Sequence, residues 1–179
     1  MKLTLSKSVI RSYRPDDAAS LTKHIGTYSV ARNMNLVPHP YTMSDAVEWI
    51  TKAISCEIET HFAITIDDEV VGGIGLELAD ARSAGVSRHV AEVGYWLGET
   101  LWGRGIMSEA VSHFTEWGFI KLDLVRIQAT VYARNPASTR VLEKAGYELE
   151  SRMRARYFKE GEFIDGMMFA KISERKING

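Results

Sequence analysis

The chain has 179 residues, of which 45% are hydrophobic and 25% are charged, and its formal net charge is −1. This composition is ordinary for a globular protein with one core, and it excludes a disordered or fibrous chain. Non-specific nucleic-acid binding needs a strong basic excess, and a membrane span needs about 20 consecutive apolar residues. The sequence has neither feature, so we expect no nucleic-acid partner and no membrane partner.

The first fifteen residues lack the continuous apolar segment of a signal peptide. Cys56 is the only cysteine, so no internal disulfide can form. Together these features predict a cytoplasmic protein. The sequence contains no repeat, no low-complexity tract and no linker rich in proline, glycine or serine, so we expect one domain over residues 1–179.

In the first half of the chain, hydrophobic spacing predicts a strand, two helices and a β-hairpin. Residues 3–13 alternate as a single strand does, and a helix follows. Behind a loop with two prolines, Ser44 is a natural N-cap for a second helix, in which Val47, Ile50 and Ile54 recur at helical spacing. The segments "HFAITI" and "VVGGIGLEL" then flank an acidic turn and predict a β-hairpin.

The second half continues with strand "AEVGYWLG", a helix from about Ile106 to Ile120, and strand "LVRIQATVY". The segment "NPASTRVLEKAGY" carries every signal of a short helix. Asn135 is the N-cap, Pro136 takes the first helical position, and Gly146 suits the left-handed position after the last turn. The segments "ELESRMRARYF" and "FIDGMMFAKI" predict a final hairpin around "KEGE".

The predicted order of elements, β-α-α-β-β-β-α-β-α-β-β, is mixed α/β (α+β) with a substantial antiparallel part. We expect a twisted, mostly antiparallel mixed sheet of about six to seven strands flanked by about four helices. A doubly wound fold would need strict alternation of strands and helices, which this order lacks.

The stretch "YWLGETLWGRGIMSEA" places Gly103 and Gly105 where a strand gives way to a helix. The start of a helix leaves about four backbone N–H groups without intrahelical partners and carries the positive end of the peptide dipoles. Phosphate is the ligand that such a turn binds, and glycines let it approach the backbone. Arg104 adds positive potential. The alternative is a turn that needs two glycines for its conformation and binds nothing.

Other phosphate and metal motifs fit less well. Ser108 stands where a dinucleotide-binding motif has its third glycine. The five histidines are dispersed without metal-ligand spacing, so we expect no metal. Cys56 has no histidine near it in the sequence, so we do not expect it to be a nucleophile.

The segments "EVGYWLGETLWGRGIMSEA" and "NPASTRVLEKAGY" together resemble the GNAT superfamily of acetyl-CoA-dependent N-acetyltransferases. The similarity is greatest to the Rim-type branch, which acetylates the N-termini of ribosomal proteins, and it covers nearly the whole chain. The resemblance implies the GNAT fold and acetyl-CoA as the acetyl-donor cosubstrate. Homodimers are common in that branch, so a homodimer is the assembly that analogy alone suggests.

The resemblance assigns the diphosphate of CoA to backbone amides from about Gly103 to Ser108. It assigns the pantetheine arm to the backbone of Tyr95-Trp96-Leu97, because pantetheine carries two amides and can pair like a strand. Trp102 at the first position of the family pattern is usual in the Rim-type branch, whereas Met107 departs from the small residue expected. The expected cofactor-binding residues are Tyr95, Trp96, Leu97, Trp102, Gly103, Arg104, Gly105, Ile106, Met107, Ser108 and Asn135.

Direct acetyl transfer needs a base, an oxyanion donor and an acid. The resemblance places a carboxylate base at Glu92, acting through water, and a backbone N–H of the same strand suits the oxyanion. Leu142 stands where many family members have a tyrosine acid, and Ser138 is the replacement, as in the Rim-type branch. Asn135 matches an asparagine that contacts the cofactor arm. The alternatives are a solvent-exposed Glu92 and purely helix-capping roles for Asn135 and Ser138.

The acceptor implied by the resemblance is a primary amine. A free α-amine has a pKa of about 7.7–8.0 and a lysine about 10.4, so the α-amine needs less help from a base. We therefore expect a protein or peptide N-terminus. A small-molecule amine (a polyamine, an antibiotic or an amino-acid derivative) is the second possibility, and a non-catalytic acyl-CoA-binding sensor is the third.

Two weaker features also bear on the acceptor. By spacing, Arg152, Arg154 and Arg156 share one strand face. This face would attract an acidic substrate or the ribose 3′-phosphate of the cofactor, or it would simply face solvent or protect an exposed sheet edge from pairing. Three aromatic residues would line an acceptor pocket or form part of the core: Tyr41, Trp49 and Tyr157.

Overall fold

The computed structural model describes residues 1–79 and 89–174. The described ranges contain eight strands: β1 (Lys2–Thr4), β2 (Val9–Ser12), β3 (His61–Ile66), β4 (Glu69–Leu78), β5 (Val90–Leu97), β6 (Arg126–Tyr132), β7 (Glu148–Lys159) and β8 (Glu162–Ile172). They also contain five α-helices: α1 (Ala18–Ile25), α2 (Tyr28–Ala31), α3 (Met43–Ser55), α4 (Ile106–Lys121) and α5 (Pro136–Lys144). No helix in these ranges is long and apolar enough to cross a membrane.

The sheet has the strand order β1-β2-β3-β4-β5-β6-β8-β7. The described pairings are antiparallel for β1–β2, β2–β3, β3–β4, β6–β8 and β7–β8. The pairing of β5 with β6 is parallel, and its described register covers Val90–Glu92 opposite 126–128. The expected mixed, mostly antiparallel fold is therefore confirmed.

The expected single strand over residues 3–13 is wrong, because this segment folds back on itself. β1 and β2 form a tight hairpin in which the backbone N–H of Leu5 donates to the Ser8 carbonyl at 2.9 Å. This division brings the number of strands to eight instead of six or seven. The short helix α2, which the sequence did not predict, brings the helices to five instead of four.

The described residues group into two compact units. The first comprises Met1–Gly75 and Tyr95–Ala110, and the second comprises residues 76–79, 89–94 and 111–174. Three elements, β4, β5 and α4, contribute residues to both units. The single domain over residues 1–179 stays a prediction.

Helix α3 forms where it was expected, but it buries a different face. Its N-cap is Thr42, not Ser44, and Thr42 forms a capping box with Asp45. The buried positions are Ala46, Ile50 and Ala53, whereas Val47 and Ile54 are about half exposed. Both sets have helical spacing. The two alanines give the helix a flat face that packs in the core cluster of the first unit with residues of α1, β3 and β4.

Helix α5 in the second unit is confirmed in detail. The Asn135 side chain accepts the backbone N–H of Ser138 at 3.2 Å, and Pro136 takes the first helical position. Gly146 has a φ of 81°, which is the left-handed conformation expected after the last turn. These local signals fix both ends of α5 and so determine where Asn135 and Ser138 lie.

Candidate active site

The glycine turn precedes α4 with a backbone suited to an anion. Gly103 and Gly105 have φ values of 75° and 81°, in the left-handed region that favours glycine. The first α4 bond runs from the Glu109 N–H to the Gly105 carbonyl at 3.1 Å, so helix geometry leaves residues 106–108 without intrahelical acceptors. A Cβ on Gly103 would meet no atom within 4 Å. The turn is therefore an open cradle that fits a diphosphate.

The side chains next to this turn anchor it. Ile106 and Met107 are 2% and 6% exposed, whereas Gly103, Arg104 and Gly105 are exposed. Met107 departs from the small residue of the family pattern, but its side chain is buried. The backbone N–H groups of the turn do not depend on the Met107 side chain. The exposed residues of the turn, 103–105, are therefore unaffected by the methionine.

Strand β5 leads into the turn and is tied to it by Trp102. The Trp102 indole Nε1 donates to the Leu97 carbonyl at 2.7 Å, while the side chain remains 43% exposed. The side chains of Trp96 and Leu97 are buried in the first unit, and Tyr95 is half-buried. Trp96 and Leu97 therefore offer a ligand only their backbone, as the resemblance implies for pantetheine, whereas the Tyr95 side chain is partly accessible.

Glu92 lies on the same strand and is half-buried. It pairs through its backbone with Gln128 at the last described position of the β5–β6 register. Gly94 follows on the same face of β5, is exposed, and would place a Cβ with no atom within 4 Å. Open space therefore adjoins the carboxylate expected to act as base.

Helix α5 places Asn135 and Ser138 one turn apart, and both are half-buried. The Asn135 side chain caps the helix through its oxygen. Its amide nitrogen can therefore donate a hydrogen bond at the same time. Leu142, at the position of the family's tyrosine acid, is fully buried.

The sequence matches the family described as an acetyltransferase (GNAT) domain over residues 8–148. The chain belongs to the GNAT family of acetyltransferases. It is 30% identical over 175 residues to the uncharacterized N-acetyltransferase p20 of Bacillus licheniformis, covering 95% of each chain. It is 26% identical over 168 residues to the L-amino acid N-acetyltransferase AaaT of Escherichia coli strain K12, covering 94% of this chain and 99% of that one.

The fold of this GNAT enzyme also has solved counterparts. It is similar to RimL, a ribosomal L7/L12 α-N-protein acetyltransferase solved with coenzyme A, with a TM-score of 0.83 at 17% identity over 96% of this chain and 98% of that one. The expectation of an N-acetyltransferase is confirmed. Enzymes of this family use acetyl-CoA, and the open glycine cradle fits it.

The charge of Glu92 acts on Tyr157 in this acetyltransferase, which sequence reasoning did not predict. Burial raises the pKa of the Tyr157 phenol, a hydrogen bond with Thr130 lowers it, and the charge of Glu92 raises it. Gly166 permits this placement, because a Cβ there would lie 3.1 Å from the Tyr157 ring and 3.2 Å from Thr130. Tyr41 and Trp49 pack against the core cluster of the first unit, whereas the pocket-lining role of Tyr157 stays a prediction.

A second tyrosine adjoins Tyr157 in the same unit. The rings of Tyr132 and Tyr157 make an edge contact with centroids 4.9 Å apart. The Tyr132 hydroxyl is buried and has no hydrogen-bond partner among the described residues. Burial, followed by the neighbouring Tyr157, raises the pKa of Tyr132. Of the two phenols, only that of Tyr157 has a pKa raised by the charge of Glu92.

The expected row of three arginines on one face of β7 is wrong. The β7–β8 register shifts between Met153 and Tyr157, and Ala155 has a φ of 50°. Arg152 pairs with Asp165 at 2.7 Å, and Arg156 lies over the Tyr157 ring at 5.7 Å. The spacing rule fails because a bulge interrupts the strand.

Sequence reasoning also missed Lys7, whose ammonium donates to the Arg104 carbonyl at 2.8 Å. Lys7 belongs to the turn between β1 and β2, and that turn was not predicted. Within the described ranges no group of three or more His, Cys, Asp or Glu side chains is arranged to hold a metal.

Proposed function

We propose that this GNAT enzyme transfers an acetyl group from acetyl-CoA directly to the α-amine of a protein or peptide N-terminus. The observation that carries the proposal is the exposed cradle formed by Gly103 and Gly105 at the start of α4, in a chain that belongs to this family. Acetyl-CoA supplies the acetyl group as a thioester. The residues of the chain hold the donor, orient the amine and move its proton.

The cofactor contacts follow the family pattern. Backbone amides from Gly103 to Ser108 hold the diphosphate, with Arg104 adding positive potential and with Trp102, Ile106 and Met107 supporting the turn. The backbone of 95–97 takes the pantetheine arm, and the Asn135 amide nitrogen donates to that arm. Because the Leu97 carbonyl already accepts the Trp102 indole N–H, we assign the arm to other main-chain groups of this stretch.

Catalysis follows from the groups on β5 and α5. Glu92 takes the proton of the amine through water as the C–N bond forms, and the open space at Gly94 receives the amine. A backbone N–H of β5 donates to the developing oxyanion. Ser138 donates a hydrogen bond to the thiolate as the C–S bond breaks. Glu92 then returns its proton to the solvent, the thiolate takes a proton from the solvent, and the products are the amide and the CoA thiol.

The choice of an α-amine rests on its protonation. At neutral pH about a tenth of an α-amine is already neutral, against less than about a thousandth of a lysine side chain. A single carboxylate acting through water is therefore a sufficient base for an α-amine and a weak one for a lysine side chain. The alternative acceptor is a small-molecule amine. The similarity to an L-amino acid N-acetyltransferase over nearly the whole chain favours an amino acid or its derivative within that alternative.

An acceptor screen tests the proposal. Purified enzyme and acetyl-CoA are incubated with peptides beginning Ser, Ala or Thr, with free amino acids, with polyamines and with an aminoglycoside, and released thiol is measured. A matched peptide with a blocked N-terminus and an internal lysine is the control. We expect turnover with free peptide N-termini only. Turnover confined to amino acids or small amines would favour the alternative, and CoA binding without any turnover would favour a sensor. A cytoplasmic location and a homodimer stay predictions.

A further inference from the structure

The turn between β1 and β2 is fastened to the glycine turn within the first unit. The backbone N–H and the hydroxyl of Ser6 each donate to the Glu109 carboxylate at 2.8 Å. The ammonium of Lys7 donates to the Arg104 carbonyl at 2.8 Å. Three hydrogen bonds therefore hold residues 6 and 7 against the start of α4, although about a hundred residues separate them in the sequence.

The two cations at this place lack carboxylate partners. Lys7 donates to the Arg104 carbonyl, and the Arg104 guanidinium donates to the Thr100 carbonyl at 2.9 Å. In the part of the chain that the structure describes, neither makes an ion pair within 4.0 Å. Both are exposed. Two positive charges bonded only to backbone carbonyls, beside a helix start, constitute a local excess that suits an anion.

Glu99 and Glu109 each lie five residues from Arg104 in the sequence. Ser29 donates to the Glu99 carboxylate, and Ser6 engages both oxygens of Glu109. The Lys7 ammonium is close to the cradle itself, since a Cβ placed on Gly105 would lie 4.0 Å from Lys7 Nζ. An anion held by the backbone amides that follow Gly105 would be within reach of this ammonium.

We propose that Lys7 binds the diphosphate of acetyl-CoA, so that the N-terminal hairpin completes the cofactor cradle. This inference rests on the proposed function, in which the ligand of the cradle is acetyl-CoA. A lysine is a compact charge on a flexible stem, and it binds phosphate as a point charge beside the directional backbone amides. The Ser6–Glu109 contact acts as the clamp that positions it.

Calorimetric titration with CoA tests the assignment without relying on turnover. Lys7→Gln is compared with Lys2→Gln, which removes an exposed positive charge from the same hairpin. We expect Lys7→Gln to raise the Kd for CoA about tenfold, because it removes one charge-assisted hydrogen bond, and Lys2→Gln to leave it unchanged. Lys7→Arg keeps the charge and should bind CoA more tightly than Lys7→Gln. Equal Kd values for wild type and Lys7→Gln would overturn the assignment.

Dephospho-CoA identifies which phosphate is involved, because it keeps the diphosphate and lacks the ribose phosphate. The same penalty for Lys7→Gln with both ligands supports the diphosphate. A penalty that disappears with dephospho-CoA overturns it. If wild-type protein takes up neither ligand, the proposed function fails as well. If it binds CoA and Lys7→Gln binds equally well, only the role of Lys7 fails.

Discussion

The carboxylate of Asp165 on β8 accepts the backbone N–H of Ala155 on β7 at 2.8 Å. Ala155 is the left-handed residue of a bulge in which three residues of β7 lie opposite Asp165, between the pairs Met153↔Gly166 and Tyr157↔Ile164. A left-handed alanine costs about 1–2 kcal/mol. The bond to Asp165 offsets that cost, and Asp165 thereby sets the position at which Tyr157 re-enters the strand.

The Asp165 contact predicts a pH-dependent loss of stability in Asp165→Asn. The Ala155 N–H, followed by Arg152, holds the pKa of Asp165 below its usual value. A carboxyl with a lowered folded pKa stabilises the protein above its unfolded pKa, and this stabilisation is lost as the pH falls through the folded value. We expect Asp165→Asn to lower the Tm at pH 7 and the difference from wild type to shrink below about pH 4.

Thermal unfolding followed by circular dichroism at a series of pH values provides the measurement. Glu148→Gln, which removes an exposed carboxylate from the start of β7, is the matched control and should leave the Tm unchanged. A difference between Asp165→Asn and wild type that stayed constant into acid would show that the Asp165 charge does not hold the bulge.

Glu92→Gln should reduce kcat/KM about a hundredfold with the true acceptor, since it removes the base but leaves the strand intact. The remaining activity should rise with pH up to the pKa of the acceptor amine, because deprotonation is then left to the solvent. Steady-state kinetics across the pH range checks both statements. Glu143→Gln, an exposed carboxylate on α5, is the control. A wild-type rate and pH profile in Glu92→Gln would transfer the role of base to another group.

Gly94→Leu should raise the KM for the acceptor about tenfold, because the new side chain fills the open space beside Glu92. The Kd for CoA should not change. Gly94 lacks a left-handed φ, so the substitution brings no backbone strain of that kind. Gly94→Ala, with one methyl group, should give a smaller effect in the same direction. An unchanged KM in the leucine variant would place the acceptor elsewhere.

Ser138→Ala should lower kcat about tenfold without a loss of stability. The Asn135 cap uses the Ser138 backbone N–H, which alanine keeps. A thiolate is a fair leaving group near neutral pH, so the hydroxyl contributes less than a full acid would. Ser138→Thr keeps the hydroxyl and should retain most of the rate. Single-turnover kinetics measures the step, and equal rates for all three proteins would remove Ser138 from the mechanism.

The parts of the fold that the sequence predicted well are those with local signals. The ends of α5 depend on Asn135, Pro136 and Gly146, each of which acts on its own turn of backbone. The glycine turn was found in the same way. Its two glycines stand directly before a helix, and the left-handed φ values confirm why glycine is there.

The parts that the sequence did not predict depend on contacts between distant segments. Val47 and Ala46 fit the helical period of α3 equally well, and only the packing of the first unit selects Ala46. Likewise, the bulge at Ala155 is stabilised by Asp165 from another strand. Lys7 reaches the cradle only because β1 and β2 form a hairpin, so no spacing rule within its own segment could reveal it.

The buried ion pair between Arg11 and Asp17 predicts the largest loss of stability in the first unit. The two guanidinium nitrogens donate to the two Asp17 oxygens at 2.8 Å each, and both side chains are less than a tenth exposed. Asp17→Ala leaves a buried cation with only the exposed Asp68 as a charged partner, so we expect it to lower the free energy of unfolding by about 3 kcal/mol.

Urea unfolding of three variants tests this expectation. Asp68→Asn removes the exposed partner at 3.1 Å and should cost much less than Asp17→Ala, because solvent screens that pair. The double variant Arg11→Met with Asp17→Leu removes both buried charges and should be more stable than Asp17→Ala alone, since no charge is then stranded. If Asp17→Ala and Asp68→Asn unfolded at the same urea concentration, the two carboxylates would contribute equally to stability. The burial of Asp17 would then not increase its contribution.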